Sequence, residues 1–175
     1  MELKGSKTEK NLWAAFNAES AARTRYDIYA QALRAAGQEA LANLFRETAK
    51  NEFVHAKIWF GALGLSAEAA DALAQAAAGE HEEWTRSYAE FERVAREEGF
   101  AQIAAQFALT ATVEAGHEAA FLRAANGAEN AANGAENAAP VAWKCANCGH
   151  TLIGAAPPKN CPLCGEPGGW FETNH

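Results

Sequence analysis

The chain has 175 residues, enough for one main domain and a small one. Its net charge of −7 argues against nucleic acid and anionic membranes as partners, and its 49% hydrophobic content, much of it alanine, suits closely packed helices. The N-terminus lacks the apolar core of a signal peptide, and no run approaches the roughly 18 apolar residues of a membrane span. The expectation is a soluble, cytoplasmic protein.

Ser6 and Glu9 fit a capping box, and helical periodicity follows to about Ala36, with Leu12, Phe16, Glu19, Arg23 and Tyr26 near one stripe. Gly37 ends this first helix. A second is expected from about Gln38 to Leu63, carrying Glu52 and His55 inward, before Gly64-Leu-Ser66 stops it. A third can run unbroken from about Ala67 to Glu98 with Glu80 and Glu83. Gly99 closes it, and a fourth covers about Phe100 to Ala125 with Glu114 and His117.

These helices carry a repeated pattern. Glu52-Phe-Val-His55 and Glu114-Ala-Gly-His117 each place a glutamate and a histidine three apart, on one helical face. Glu19 precedes Glu52 by 33 residues, and Glu80 precedes Glu114 by 34. The turn glycines Gly37 and Gly99 fall so that each helical hairpin returns its carboxylates to one height. Two matching hairpins suggest a duplication. Four helices offering Glu, Glu-x-x-His, Glu and Glu-x-x-His are the ligand set of a carboxylate-bridged di-iron or di-manganese site in a ferritin-like bundle. Five carboxylates buried around two histidines would repel one another without cations. Glu83 has Ala22 as its counterpart, so the site should be asymmetric.

The connection after the second helix is short. That helix, at about 26 residues, is roughly 39 Å long, and recrossing it needs about 11 extended residues where three or four are free. Either the bundle runs up-down-up-down, or the second hairpin packs against another chain's first. The pseudo-two-fold ligand pattern favours a homodimer with exchanged hairpins.

Residues 126–139 are one heptapeptide written twice, Asn-Gly-Ala-Glu-Asn-Ala-Ala, read as a linker reaching about 20 Å. In residues 140–175, Cys145-Ala-Asn-Cys148 and Cys161-Pro-Leu-Cys164, 12 residues apart, read as a tetrathiolate metal site rather than a disulfide framework. So small a domain needs its metal to fold, with Trp143, Trp170 and Phe171 as the expected core. Zinc ribbons share this spacing, so zinc is the alternative to iron there. His81, His150 and His175 are not expected to be ligands, and Trp59, Trp84 and Phe91 are read as packing.

Residues 1–125 as a helical bundle and 140–175 as a four-cysteine domain together resemble the rubrerythrin family, on Asn11-Leu-Trp-Ala-Ala-Phe-Asn-Ala-Glu19-Ser20, Glu52-Phe-Val-His55, Gly79-Glu80-His-Glu-Glu83, Glu114-Ala-Gly-His117 and the two Cys-x-x-Cys-Gly runs. The resemblance implies a mainly α, ferritin-like four-helix bundle with a C-terminal rubredoxin-like domain. It implies two iron ions in the carboxylate site and one in the four-cysteine site. It also implies reduction of hydrogen peroxide to water in oxidative stress defence, with electrons from NADH through a separate reductase or a rubredoxin. Under it Glu52 and Glu114 bridge, Glu19 and Glu80 are terminal, and His55 and His117 each face one iron. Glu83 binds one iron when oxidised, and that iron moves toward His55 when reduced. Tyr26 and Tyr88 hydrogen-bond ligand carboxylates. The alternative is a ferroxidase or iron-storage role, against which the terminal domain would obstruct cage assembly.

Overall fold

The computed structural model describes residues 2–127 and 142–173, so most of the repeated linker, and His175, lie outside the described residues. Two compact units divide between Ala67 and Glu68. Among the described residues no helix is long and apolar enough to cross a membrane.

The first unit is a helical hairpin of α1 (Lys7–Ala35) and α2 (Glu39–Ala62). Ser6 caps α1 by accepting the Glu9 N–H at 3.0 Å, and Glu9 Oε2 in turn accepts the Gly5 N–H at 2.6 Å. The chain reverses at Gly37, whose φ of +74° lets the Gln38 N–H reach back to Leu33 O at 2.9 Å. Between the two helices the buried side chains are Ala22, Ala30, Ala42, Ala49 and Ala56. Alanine on both surfaces lets the helices approach closely and buries little apolar area. The larger side chains Ile28, Leu44, Val54 and Ile58 are all more than half exposed.

The second unit holds α3 (Ala69–Glu82), a π-turn (Glu83–Ser87), α4 (Tyr88–Glu97), α5 (Ala101–Ala125) and a small sheet. The sheet pairs β1 (Ala142–Cys145) antiparallel with β2 (Thr151–Ile153) on one side and β3 (Phe171–Thr173) on the other, with Trp143 opposite Leu152 and Thr173.

The unbroken third helix expected from the sequence is corrected. Its interruption has a readable cause in the duplication. Glu19 and Glu80 differ by 61 positions, whereas Tyr26 and Tyr88, Gly37 and Gly99, and Glu52 and Glu114 all differ by 62. The second hairpin therefore has one residue more than the first between Glu80 and Tyr88. A π-turn is the way a helix absorbs a single extra residue without losing its axis. The Tyr88 N–H accordingly bonds to Glu83 O, five residues back.

Candidate metal centres

Each hairpin brings its three expected ligands together, and does so in nearly the same geometry. On the first, His55 Nδ1 lies 2.8 Å from Glu52 Oε2 and 3.9 Å from Glu19 Oε2. On the second, His117 Nδ1 lies 2.7 Å from Glu114 Oε2 and 3.8 Å from Glu80 Oε2. Within each trio one ligand atom per residue falls within 4.8 Å of the others. The i, i+3 spacing on α2 and α5 stacks histidine over glutamate, and the facing helix supplies the second carboxylate. Both imidazoles turn Nδ1 toward the carboxylates, which leaves Nε2 to face away.

The donor set fits hard divalent or trivalent cations. Burial, then the neighbouring Glu114 carboxylate, push the Glu80 carboxyl above its ordinary range. Two crowded, partly desolvated carboxylates resist sharing charge unless a cation is between them. Tyr88 is likewise pushed up, first by burial and then by the Glu114, Glu83 and Glu80 carboxylates, so its hydroxyl stays protonated beside the second trio. Glu83 is the first residue of the π-turn and stands outside both trios. Tyr26 packs on Phe45 with ring centres 5.7 Å apart, and a bond from it to a ligand carboxylate is not among its described contacts.

The Glu80 shift has a consequence for the metal-free protein. Because the folded value is raised, its contribution to stability is complete below the ordinary value of 4.5 and is lost as pH rises through the raised value. Chelated protein should therefore gain thermal stability relative to a Glu80→Gln variant as pH falls from 7 toward about 4.5. Metal-loaded protein should show the opposite trend, since cations bind the charged form. Calorimetric melting of both forms across pH is the check. Equal pH slopes for wild type and variant without metal would contradict it.

In the second unit the four cysteines converge, with Cys145 Sγ 3.9 Å from Cys164 Sγ and Cys148 Sγ 3.6 Å from Cys161 Sγ. A tetrahedron with metal–sulfur bonds of about 2.3 Å has edges of about 3.8 Å, so these separations bracket a tetrathiolate site. Each knuckle is closed by a glycine N–H reaching the first cysteine's carbonyl, from Gly149 to Cys145 at 2.8 Å and from Gly165 to Cys161 at 2.9 Å. Burial pushes the Cys148 and Cys161 thiols up. Cys164 is exposed; burial, the largest single influence, raises its thiol, but the Asn147 side chain, the Glu166 N–H, Cys148 and Cys161 together bring it down to about 7. Phe171 is buried against Cys145 and Cys161, with Trp143, Leu152 and Leu163 packed around them. Trp170, expected in this core, is about half exposed, because the 3-10 turn Gly168–Trp170 points it outward while Phe171 enters the sheet.

The first knuckle lies against α5. Gly149 has φ of +77°, and a Cβ there would fall 3.0 Å from Val113 Cγ1 and 3.3 Å from His117 Nε2. The His117 ring thus has Nδ1 among the carboxylates and Nε2 at the cysteine knuckle. His150, next in the knuckle, is buried with Nδ1 unpartnered, and desolvation keeps it neutral.

Sequence reasoning missed three features: this contact, the π-turn, and a hydrogen-bonded cluster of His81, Trp84 and Glu118 behind the second trio. Only the π-turn left a sequence signal, in the unequal spacing of Glu19–Tyr26 and Glu80–Tyr88.

The model of the rubrerythrin family matches residues 10–125 and, again, 71–144, and that of the rubrerythrin rubredoxin-like domain matches 143–172. The chain is 42% identical to a rubrerythrin of Porphyromonas gingivalis over 97% of its own length and 91% of the relative's. Against a rubrerythrin of Nitratidesulfovibrio vulgaris it is 38% identical, covering 97% and 95%. A solved structure of nigerythrin in a partially reduced state is 26% identical, covers 98% of this chain and 91% of that one, and has a TM-score of 0.42. With ferritin-like helices bearing two Glu-x-x-His trios and a rubredoxin-like sheet gathering four cysteines, the chain belongs to the rubrerythrin family.

Proposed function

We propose that the protein reduces hydrogen peroxide to water, taking electrons one at a time through an iron held by Cys145, Cys148, Cys161 and Cys164 and delivering them to a pair of iron ions held by the two trios and Glu83. The observation that carries this reading is the His117 ring, with one nitrogen at the carboxylates and the other at the Gly149 knuckle. Such a contact favours a role in which charge moves between the two sites over one of storage.

Reducing one peroxide to two waters takes two electrons and two protons. When bound, a pair of ferrous ions supplies both electrons at one place. Glu52 and Glu114, the least exposed of the carboxylates, are suited to lie between two ions, with Glu19 and Glu80 at the ends. His55 and His117 supply nitrogen donors that favour the ferrous state, while the carboxylates favour the ferric. Glu83, with Ala22 as its counterpart, adds an oxygen donor on one side only. The Tyr88 hydroxyl keeps its proton and can orient the carboxylates it faces; Tyr26 is the corresponding residue of the first hairpin. Exposed Cys164 is the natural side for an external reductase or a rubredoxin to approach.

The two trios sit in different units, and in our reading a two-iron site takes one trio from each kind of hairpin. We read the functional form as a homodimer in which each site joins one chain's first hairpin to the partner's second, with residues 126–139 linking the bundle to the four-cysteine domain.

Rapid mixing of the fully reduced protein with peroxide or with dissolved oxygen tests the activity. Oxidation of the carboxylate site by peroxide should be at least about tenfold faster, a barrier difference of about 1.4 kcal/mol. Faster oxidation by oxygen would favour a ferroxidase instead.

A further inference from the structure

Behind the second trio, three side chains that take no part in it are tied together. Glu118 on α5 accepts the Trp84 indole N–H through Oε2 at 2.5 Å, and its Oε1 lies 3.0 Å from His81 Nδ1. The His81 and Trp84 rings meet edge to face, with centres 5.7 Å apart. Each member directly follows an expected ligand in the chain: His81 follows Glu80, Trp84 follows Glu83, and Glu118 follows His117. Trp84 also lies inside the π-turn that Glu83 begins.

The first hairpin has nothing comparable. By the offsets of 61 and 62, the matching positions are Ser20, Arg23 and Ala56. All three line an open groove of about 450 Å³. The second hairpin therefore differs from its duplicate in three linked respects: an extra residue taken up as a π-turn, a glutamate at its start, and a carboxylate clamp holding the next residue to the facing helix. A π-turn lacks the tight i→i−4 ladder that fixes side-chain direction in an α-helix. A contact from outside the helix can supply that direction.

We propose that Glu118 is a positioning residue for the metal site: by binding Trp84 and His81 it pins the π-turn to α5 and so fixes where Glu83 presents its carboxylate. This rests on the reading that Glu83 is a metal ligand on one side of the site. Glu118 touches neither substrate nor metal in this role. It acts through the backbone of Glu83 and Trp84, as residues that orient ligands do elsewhere at a cost of about 10–100-fold in metal affinity when lost.

The test uses full-length protein with zinc filling the four-cysteine site, loaded with Fe(II) at the carboxylate site and oxidised, because Glu83 is read as a ligand of the oxidised pair; the charge-transfer absorbance of the ferric ions is followed as a chelator removes them. Glu118→Ala should speed the loss of one ferric ion of each pair at least about tenfold and shift its bands, leaving the other nearly unchanged. Trp84→Phe, which keeps the ring and removes only the donor, should act in the same direction and decides the matter if Glu118→Ala does not fold. Glu118→Gln retains an oxygen for the indole N–H and should stay within about threefold of wild type. Glu83→Ala should speed the loss of the same ion, and adding Glu118→Ala to it should cost nothing further. Additive losses in that double variant, or wild-type retention in both Glu118→Ala and Trp84→Phe, would overturn the proposal while leaving Glu83 as a ligand. Unchanged retention of both ferric ions in Glu83→Ala would overturn the ligand assignment, and the proposal with it.

Discussion

Co-expressing a chain that carries Glu52→Ala and His55→Ala with one that carries Glu114→Ala and His117→Ala should yield a mixed dimer with about half the wild-type carboxylate-site metal and peroxide turnover, although each variant alone has neither. The reasoning is geometric. In a ferritin-like bundle the second and third helices run parallel, so the chain must travel back along the whole of α2 between them. At 24 residues α2 is about 36 Å long, since each residue rises about 1.5 Å. Between Ala62 and Ala69 there are six residues, which span at most about 21 Å fully extended. A single chain that kept those helices parallel could not make that crossing, which is why we propose that two chains exchange hairpins. Packing supports the same proposal. The first hairpin buries alanines between its helices and leaves Ile28, Leu44, Val54 and Ile58 largely uncovered. Covering such side chains contributes about 1.5–3 kcal/mol each, which a second copy can supply. In the mixed dimer one site unites two intact hairpins and the other two altered ones. Metal analysis and activity of dimer purified through two different tags read the outcome directly. No recovery in the mixed dimer would mean that each chain builds its site from its own hairpins.

Replacing Gly149 should separate the two halves of the reaction. A valine there meets two obstacles: a positive φ that costs an L-residue about 1–2 kcal/mol, and a Cβ only 3.0 Å from Val113 Cγ1. The knuckle must then retreat from α5 and from His117 Nε2. Passage of an electron from the four-cysteine site to the carboxylate site should slow at least about tenfold, equivalent to about 1.4 kcal/mol of barrier. Oxidation of the already reduced carboxylate site by peroxide should be unchanged, because the substitution meets His117 only at Nε2, on the side of the ring away from the carboxylates. Gly149→Ala combined with Val113→Ala should recover part of the loss, since the tighter of the two steric contacts is removed. Single-turnover absorbance changes at the four-cysteine site give the rate. An unaltered rate in Gly149→Val would show that charge enters the carboxylate site by another way.

What could be read from the sequence, and what could not, follows from the range of the interactions involved. The helix ends were legible because Ser6, Gly37 and Gly99 act within a turn of their own position. The trios were legible because i, i+3 spacing and a hairpin of known rise fix which side chains meet. The four-cysteine cluster was legible for the same local reason, two short knuckles with a glycine after each. The π-turn was visible as a spacing of eight residues from Glu80 to Tyr88 against seven from Glu19 to Tyr26. Periodicity alone reads that as one long helix, since a single extra residue shifts the pattern by less than a third of a turn. Sequence alone gives His81 no ligand role and Trp84 a packing role, because nothing in the chain near them indicates that Glu118, 34 residues or more away, would bond both. The Gly149 contact with α5 depends on how two segments separated by the repeated linker come together, and no local rule encodes that. Trp170 and Phe171 were both expected in the small core, but adjacent residues entering a strand point to opposite sides, so one of them had to face solvent.

The central claim is that peroxide draws electrons from the four-cysteine site by way of the carboxylate site. Mixing fully reduced protein with peroxide while following the visible absorbance of the tetrathiolate iron tests it most directly, with Glu114→Ala as the comparison. The account predicts rapid oxidation of that iron in the wild type and oxidation at least about tenfold slower in the variant. Equal rates in the two proteins would mean that peroxide reaches the four-cysteine iron on its own and would contradict the account.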